Sequence, residues 1–234
     1  MKAKTAIYYD RIYAAVGKDY AAEAAQLKAI IAHRKRSAGN SLLDVACGTA
    51  THAVHLSDEF EITGFDIEKA MVELARECCP SGTFLVDDMR DFDLKRTFDV
   101  VICLFSSIGF MKTRADLDAA VGNMARHVKP GGVLLIEPWI TSDNFTGGHS
   151  QVVAVDEPEL KLARVTRSDR EGDLSVLDMQ YLIATPEGLE HIAERYEMGL
   201  FTEEEYLSAY KRAGLEVELD PKGLMDRGLL IGTR

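Results

Sequence analysis

Five short apolar runs, at 41–46, 61–66, 83–86, 98–105 and 133–137, recur along the chain, with segments of helical spacing at 51–60, 67–78 and 116–128 between them. The fourth run reads FDVVICLF from Phe98 to Phe105, almost without interruption, as expected of a central parallel strand covered on both faces. Strands that alternate with helices demand right-handed crossovers, hence a parallel sheet with helices on both sides. A further helix over 20–31 precedes them, rich in alanine.

After Trp139 the rhythm changes. Segments 152–155, 160–168, 174–184 and 189–200 read as consecutive strands, parted by turn residues such as Glu171-Gly172-Asp173 and Pro186-Glu187-Gly188. Thr202-Glu203-Glu204-Glu205 is a capping box that starts a helix to about Ala213, and Gly214 ends it. Two more strands follow at 215–219 and 228–232. The expected fold is α/β: a Rossmann-like, doubly wound, mainly parallel seven-stranded sheet with an inserted antiparallel β-sheet. It forms a single domain over 1–234, divided into a helical cover (1–36), a binding core (37–140), an antiparallel insertion on the substrate side (141–200) and a closing helix with the last two strands (201–234).

Length supports one domain with an elaboration, since 234 residues are few for two catalytic domains. A net charge of −11 repels a phosphate backbone, which argues against a nucleic-acid partner. The four cysteines, at 47, 78, 79 and 103, include no CxxC, so they are expected to be reduced thiols in a cytoplasmic protein. No apolar run follows an amino-terminal basic cluster, and none is long enough to span a bilayer, so no membrane role is expected.

The strongest local motif is LLDVACGTAT from Leu42 to Thr51, a strand that ends in a tight turn and leads into a helix. Gly48 lets the backbone approach a ligand, and the amides beyond it can meet an anionic group. Ala46 and Ala50 occupy glycine positions of the dinucleotide fingerprint, which argues against a Rossmann oxidoreductase. Asp66 ends the second strand about twenty residues on, where a carboxylate can accept from both hydroxyls of a ribose. Asp88 ends the third strand, where it can accept from an exocyclic adenine amine, with Met89 beside it to pack the base. His52 and His55 lack a third ligand nearby, so no metal site is expected. Cys103 belongs to the core.

In these ordered motifs, together with Val128-Lys129-Pro130-Gly131-Gly132, the chain resembles the class I S-adenosylmethionine-dependent methyltransferases. Within them, Tyr9-Asp10-Arg11-Ile12-Tyr13, Gly17-Lys18-Asp19-Tyr20, Asp88-Met89-Arg90-Asp91-Phe92, Phe105-Ser106-Ser107-Ile108-Gly109 and Glu137-Pro138-Trp139 are similar to the dTDP-amino-sugar N,N-dimethyltransferases. The resemblance implies S-adenosylmethionine as cofactor and N-methylation of a small acceptor, a nucleotide-linked 3-amino-deoxysugar. It assigns Asp44, Ala46, Gly48, Asp66, Ile67, Asp88, Met89 and Leu104 to the cofactor, with Tyr13 or Tyr20 over its methionine part. It assigns Tyr9, Ser107 and Glu137 to catalysis, and Ser106, Phe110, Trp139 and Arg227 to the substrate. Arg164 and Arg167 on the insertion are candidates for a diphosphate, because guanidinium groups bind phosphate oxygens in pairs. An alanine at 50, where that family usually carries glycine, fits a turn with negative φ. Two alternatives stay open: a class I methyltransferase of another small acceptor, such as an amino acid amine or a metabolite hydroxyl, and a non-catalytic S-adenosylmethionine-sensing domain. A homodimer is left open as well.

Overall fold

Leu42, Leu43 and Val45 are sealed from solvent on both faces of the sheet, as are Val100, Val101 and Ile102. That is the burial expected of central parallel strands. A computed structural model describes residues 3–224 and 226–234. In it β1 (Ser41–Val45) lies between β2 (Glu61–Asp66) and β4 (Phe98–Cys103), parallel to both. β3 (Thr83–Val86) extends the sheet beyond β2, and β5 (Val128–Ile136) extends it beyond β4. The last two strands, β10 (Glu216–Asp220) and β11 (Leu229–Thr233), add antiparallel pairs, giving the order β3-β2-β1-β4-β5-β11-β10. Strand order reverses between β1 and β4, which opens a crevice beyond their carboxyl ends.

Helices cover both faces. Leu27 and Ile31 of α3 (Tyr20–Arg34), Leu56 of α4 (Thr51–Leu56) and Val72 of α5 (Lys69–Cys78) pack on one side. Leu117 and Val121 of α6 (Arg114–Arg126) and Tyr206 and Tyr210 of α7 (Glu203–Arg212) pack on the other. Thr202 and Glu205 form both bonds of the capping box at α7. No helix among the described residues is long and apolar enough to cross a membrane.

The insertion is a separate antiparallel sheet in the order β6 (His149–Glu157), β7 (Leu160–Glu171), β8 (Leu174–Thr185) and β9 (Gly188–Gly199). Most of these strands outrun the expected segments, because backbone pairing carries them on into polar ends that apolar alternation does not mark. Two short helices, α1 (Ala3–Ala6) and α2 (Tyr9–Ala15), reach across to this sheet, and Ile12 of α2 is buried against its inner face with Val153, Leu162 and Tyr181.

Three backbone details depart from expectation. Pro130-Gly131-Gly132 is not a free turn before a strand but a bulge within β5, where the register slips between Phe98↔Val128 and Val100↔Val133. Gly131 there has φ +75°, and a Cβ on Gly132 would lie 2.8 Å from the Asp99 carbonyl oxygen. Helix α4 stops at Leu56, short of the expected residue 60. Ala46 and Ala50 have φ of +56° and +63°, so the turn after β1 is left-handed at two alanines, and the negative angle expected at Ala50 is corrected. Each alanine there costs about 1–2 kcal/mol against a right-handed residue.

Candidate active site

The crevice beyond β1 and β4 opens into a cavity of about 1,020 Å³, walled on one side by the strand ends and on the other by the inner face of the inserted sheet. Period-two alternation selects what that sheet presents. Arg164 lies between Val153 and Tyr181, Thr166 between Gln151 and Met179, and Ser168 between His149 and Leu177, each two residues further along β7. Arg167 has the opposite parity. It is exposed on the outer face, with its Nε 2.6 Å from Asp169, so the structure does not bring it to the cavity.

At the strand ends, Ala46, Gly48, Asp66, Ile67, Asp88 and Met89 line the wall. Gly48 has φ +55° and no atom within 4 Å of where a Cβ would stand, so its backbone faces open space. Asp66 accepts from the Gly48 N–H and the Glu68 N–H, both at 2.9 Å, which ties the two loops together and leaves carboxylate lone pairs toward the cavity. Asp88 is gripped by the Arg90 guanidinium, Nε at 3.0 Å, which holds its carboxyl below the usual range. A glycine with room above it, flanked by carboxylates at two successive strand ends, suits a ligand with a ribose and an adenine.

Asp44 and Leu104 lie beneath this wall, 4 % exposed each, and do not line it. Burial, and then the neighbouring Asp66 charge, pushes the Asp44 carboxyl up to about 8. Tyr20 is also set back: its ring stands edge-on to His52 at 4.8 Å, and its hydroxyl is buried without a partner. His52 bonds Glu23 at 2.7 Å, and Glu23 also receives Lys18 at 2.7 Å, so this histidine is spent on a buried ion network.

The centre of the cavity is aromatic. Tyr13 meets Phe105 edge-on at 4.6 Å, Tyr9 meets Tyr13 at 4.7 Å, and Trp139 lines the same cavity. Three cations gather on these rings. Lys18 Nζ lies 4.0 Å from the Phe105 centroid, Arg227 5.3 Å from Trp139, and Arg164 5.4 Å from Tyr13. Arg164 is 5 % exposed, and its Nε and Nη1 have no partner. Burial pushes the Tyr9 phenol well up, so it stays protonated at neutral pH. Ser107 and Phe110 line the cavity, Phe110 well exposed.

Ser106 and Glu137 do not reach it. Ser106 is buried and donates to the Pro138 carbonyl at 2.8 Å, and it accepts from Arg227 at 3.2 Å. Glu137 is fully buried and accepts the Phe105 N–H at 2.7 Å. Residues of the cavity that the sequence reading left unassigned include Phe105 and the inner-face ladder Thr166, Met179 and Tyr181. Thr166 was open to discovery by counting in twos from Arg164, whereas Met179 and Tyr181 sit on β8 and depend on its register with β7. Phe105 was hidden because it reads as the last residue of an apolar strand.

Residues 42–132 match a family model described as a methyltransferase domain. The chain is 42% identical over 226 residues to the dTDP-3-amino-3,6-dideoxy-alpha-D-glucopyranose N,N-dimethyltransferase of Streptomyces fradiae, covering 96% of this chain and 88% of that one. It is 40% identical to the dTDP-3-amino-3,4,6-trideoxy-alpha-D-glucopyranose N,N-dimethyltransferase of Streptomyces venezuelae, covering 96% and 95%. Among solved structures, Streptomyces venezuelae DesVI superposes with a TM-score of 0.92 at 39% identity, over 97% of both chains. The sugar N-methyltransferase KedS8 from Streptoalloteichus sp ATCC 53650 gives 0.89 at 39% identity, over 97% of this chain and 92% of that one.

Proposed function

Because the chain belongs to the dTDP-amino-sugar N,N-dimethyltransferase family and is an S-adenosylmethionine-dependent N-methyltransferase, we propose that its acceptor is the amine of a dTDP-linked 3-amino-deoxysugar. The supporting observation is the shared cavity. At about 1,020 Å³ it sits at the upper end of the range of about 300–1,000 Å³ for small-molecule sites, with room for a second ligand beside the cofactor. Its far wall carries the buried, open-handed guanidinium of Arg164. Such a group suits a diphosphate, whose oxygens accept from paired N–H donors. Arg227 faces the same space from the opposite wall.

The division of labour along the chain follows. Residues 1–36 cover the site, 37–140 bind the cofactor, 141–200 receive the acceptor and 201–234 close the sheet, in a cytoplasmic enzyme. Asp66, Gly48, Asp88 and Met89 hold the nucleoside of the cofactor, and Tyr13 covers its methionine part. When bound, S-adenosylmethionine supplies a methyl group on a sulfonium, already activated for in-line displacement. Tyr9 keeps its proton and Glu137 is walled off, so neither is placed to remove a proton from the acceptor. What the chain supplies is alignment, exclusion of water, and a field. Arg164 and Arg227 around the aromatic cluster disfavour an ammonium between them, so a neutral amine is the form they accommodate. Labelled S-adenosylmethionine with a panel of acceptors tests the proposal: methylation of simple amines such as glycine as readily as of the dTDP-amino sugar would reject it.

The outer face of the inserted sheet exposes Val152 beside Val165, with Leu182 two strands from Val152, and suits a second copy of the chain. Sedimentation of the wild type and of Val165→Asp reads this, and a monomeric wild type rejects it.

A further inference from the structure

Just beyond β4 the cavity wall holds two adjacent left-handed residues. Phe105 and Ser106 are consecutive, neither is glycine, and both are left-handed, at φ +52° and +60°. Such conformations persist only where the surroundings over-determine them. Three bonds do so here. Glu137 Oε2 accepts the Phe105 N–H at 2.7 Å, Ser106 Oγ donates to the Pro138 carbonyl at 2.8 Å, and Arg227 Nη1 donates to Ser106 Oγ at 3.2 Å. Two of the three lead into the Glu137-Pro138 segment that follows β5, so the ends of the neighbouring strands β4 and β5 are stitched together beside the switch point.

The strained turn has a product. It stands the Phe105 ring edge-on to Tyr13, with Lys18 Nζ 4.0 Å from its centroid and the Arg227 guanidinium 5.9 Å from it. Glu137 itself touches none of this space: it is fully buried, and its second oxygen, Oε1, has no partner. Burial pushes its carboxyl up, while the Phe105 N–H, Lys18 and Arg227 act in the opposite sense.

We propose that Glu137 is a positioning residue for methyl transfer, a clamp on the left-handed Phe105-Ser106 turn that sets the Phe105 ring and, through Ser106, the Arg227 guanidinium against the acceptor. The proposal rests on the methyltransferase reading but not on the sugar nucleotide. It makes the acceptor-facing geometry depend on a group that never meets the acceptor. A carbonyl oxygen can replace a carboxylate in that task, because the bond to the Phe105 amide needs an acceptor and no proton moves.

The test compares Glu137→Gln, Glu137→Ala and Glu137→Asp, using whichever acceptor the wild type turns over best, so that failure of the sugar-nucleotide assignment leaves it standing. Glu137→Gln should keep kcat within about threefold and leave its pH profile unchanged, since general-base loss would instead cost about 10²–10⁴-fold. Glu137→Ala and the shortened Glu137→Asp should lose about 10²-fold in kcat, the cost of a misplacement of about 1 Å. S-adenosylhomocysteine should bind all three variants within twofold of the wild type by calorimetry. Hydrogen exchange over 103–110 gives a readout independent of turnover: it should quicken at least tenfold in Glu137→Ala and stay near wild type in Glu137→Gln. A Gln variant as slow as the Ala variant with both ligands bound would make Glu137 a proton carrier and overturn the clamp. Full kcat in the Ala variant, or unchanged exchange at 103–110, would overturn it as well. If Glu137→Ala does not fold, the Asp and Gln pair decides by the same criteria.

Discussion

Replacing Arg164 with methionine should make the ligand-free chain more stable and the enzyme worse. The side chain is 5 % exposed, and two of its donors, Nε and Nη1, have no partner. A buried donor left unsatisfied costs about 1–3 kcal/mol, more when the group is charged. Its guanidinium over Tyr13, 5.4 Å from the centroid, returns about 0.5–2 kcal/mol. Methionine fills most of the volume and needs no partner. With two such donors against one returned contact, the net gain is at least about 1 kcal/mol, or at least about 2–4 °C in Tm for a chain of this length. On the acceptor the sign reverses. Two charge-assisted bonds to phosphate oxygens, at about 1.5–3 kcal/mol each, amount to about 10²–10⁴-fold in kcat/KM. The same amino sugar without its nucleotide should be methylated equally by wild type and variant. Arg167→Met is the control, because Arg167 lies on the outer face and pairs with Asp169; it should leave both acceptors within twofold. Differential scanning calorimetry and steady-state kinetics read the two halves. A Tm that falls by several degrees, or an equal loss on both acceptors, would refute the reasoning.

Asp66→Ala should weaken S-adenosylhomocysteine about 10²–10⁴-fold by calorimetric titration, through two ribose bonds of about 1.5–3 kcal/mol each. It should also loosen the chain, because Asp66 accepts from Gly48 and Glu68; unchanged affinity in a folded variant would remove the ribose role. Ala50→Gly should raise Tm by about 2–4 °C, since a left-handed alanine at φ +63° costs about 1–2 kcal/mol, reduced by the greater entropy glycine loses on folding. A lower Tm would mean that neighbouring contacts favour the methyl group. Asp44, raised to about 8 by burial and Asp66, holds a proton in the folded chain that the unfolded chain releases near pH 4. Its contribution to stability is therefore lost as pH rises from about 4 to 8. The Tm advantage of Asp44→Asn over wild type should widen between pH 5 and pH 8, and a constant difference would show that Asp44 is ionised throughout.

Apolar runs by themselves determined the five parallel strands, since FDVVICLF has nowhere to go but the centre of a sheet. They also placed the change to antiparallel pairing after Trp139, and the polar Thr202-Glu203-Glu204-Glu205 signature placed the capped start of the last helix. The ordered strand-end signals at Gly48, Asp66 and Asp88 could be read because in a parallel sheet every strand delivers its last residue to the same edge. The tertiary structure decided what depends on parity and on partners distant in sequence. Arg164 and Arg167 differ by three, so a strand turns one toward the cavity and the other away. Glu137 looked like a group for the acceptor until β4 brought the Phe105 amide to its carboxylate, 32 residues away in sequence. Ala50 fits a right-handed turn as a residue type, but the path from β1 into α4 imposes the left-handed one. Composition and spacing record which residues can reach a crevice. Which of them face it is set by packing, because burial and hydrogen bonding compete for each side chain only once the strands lie side by side.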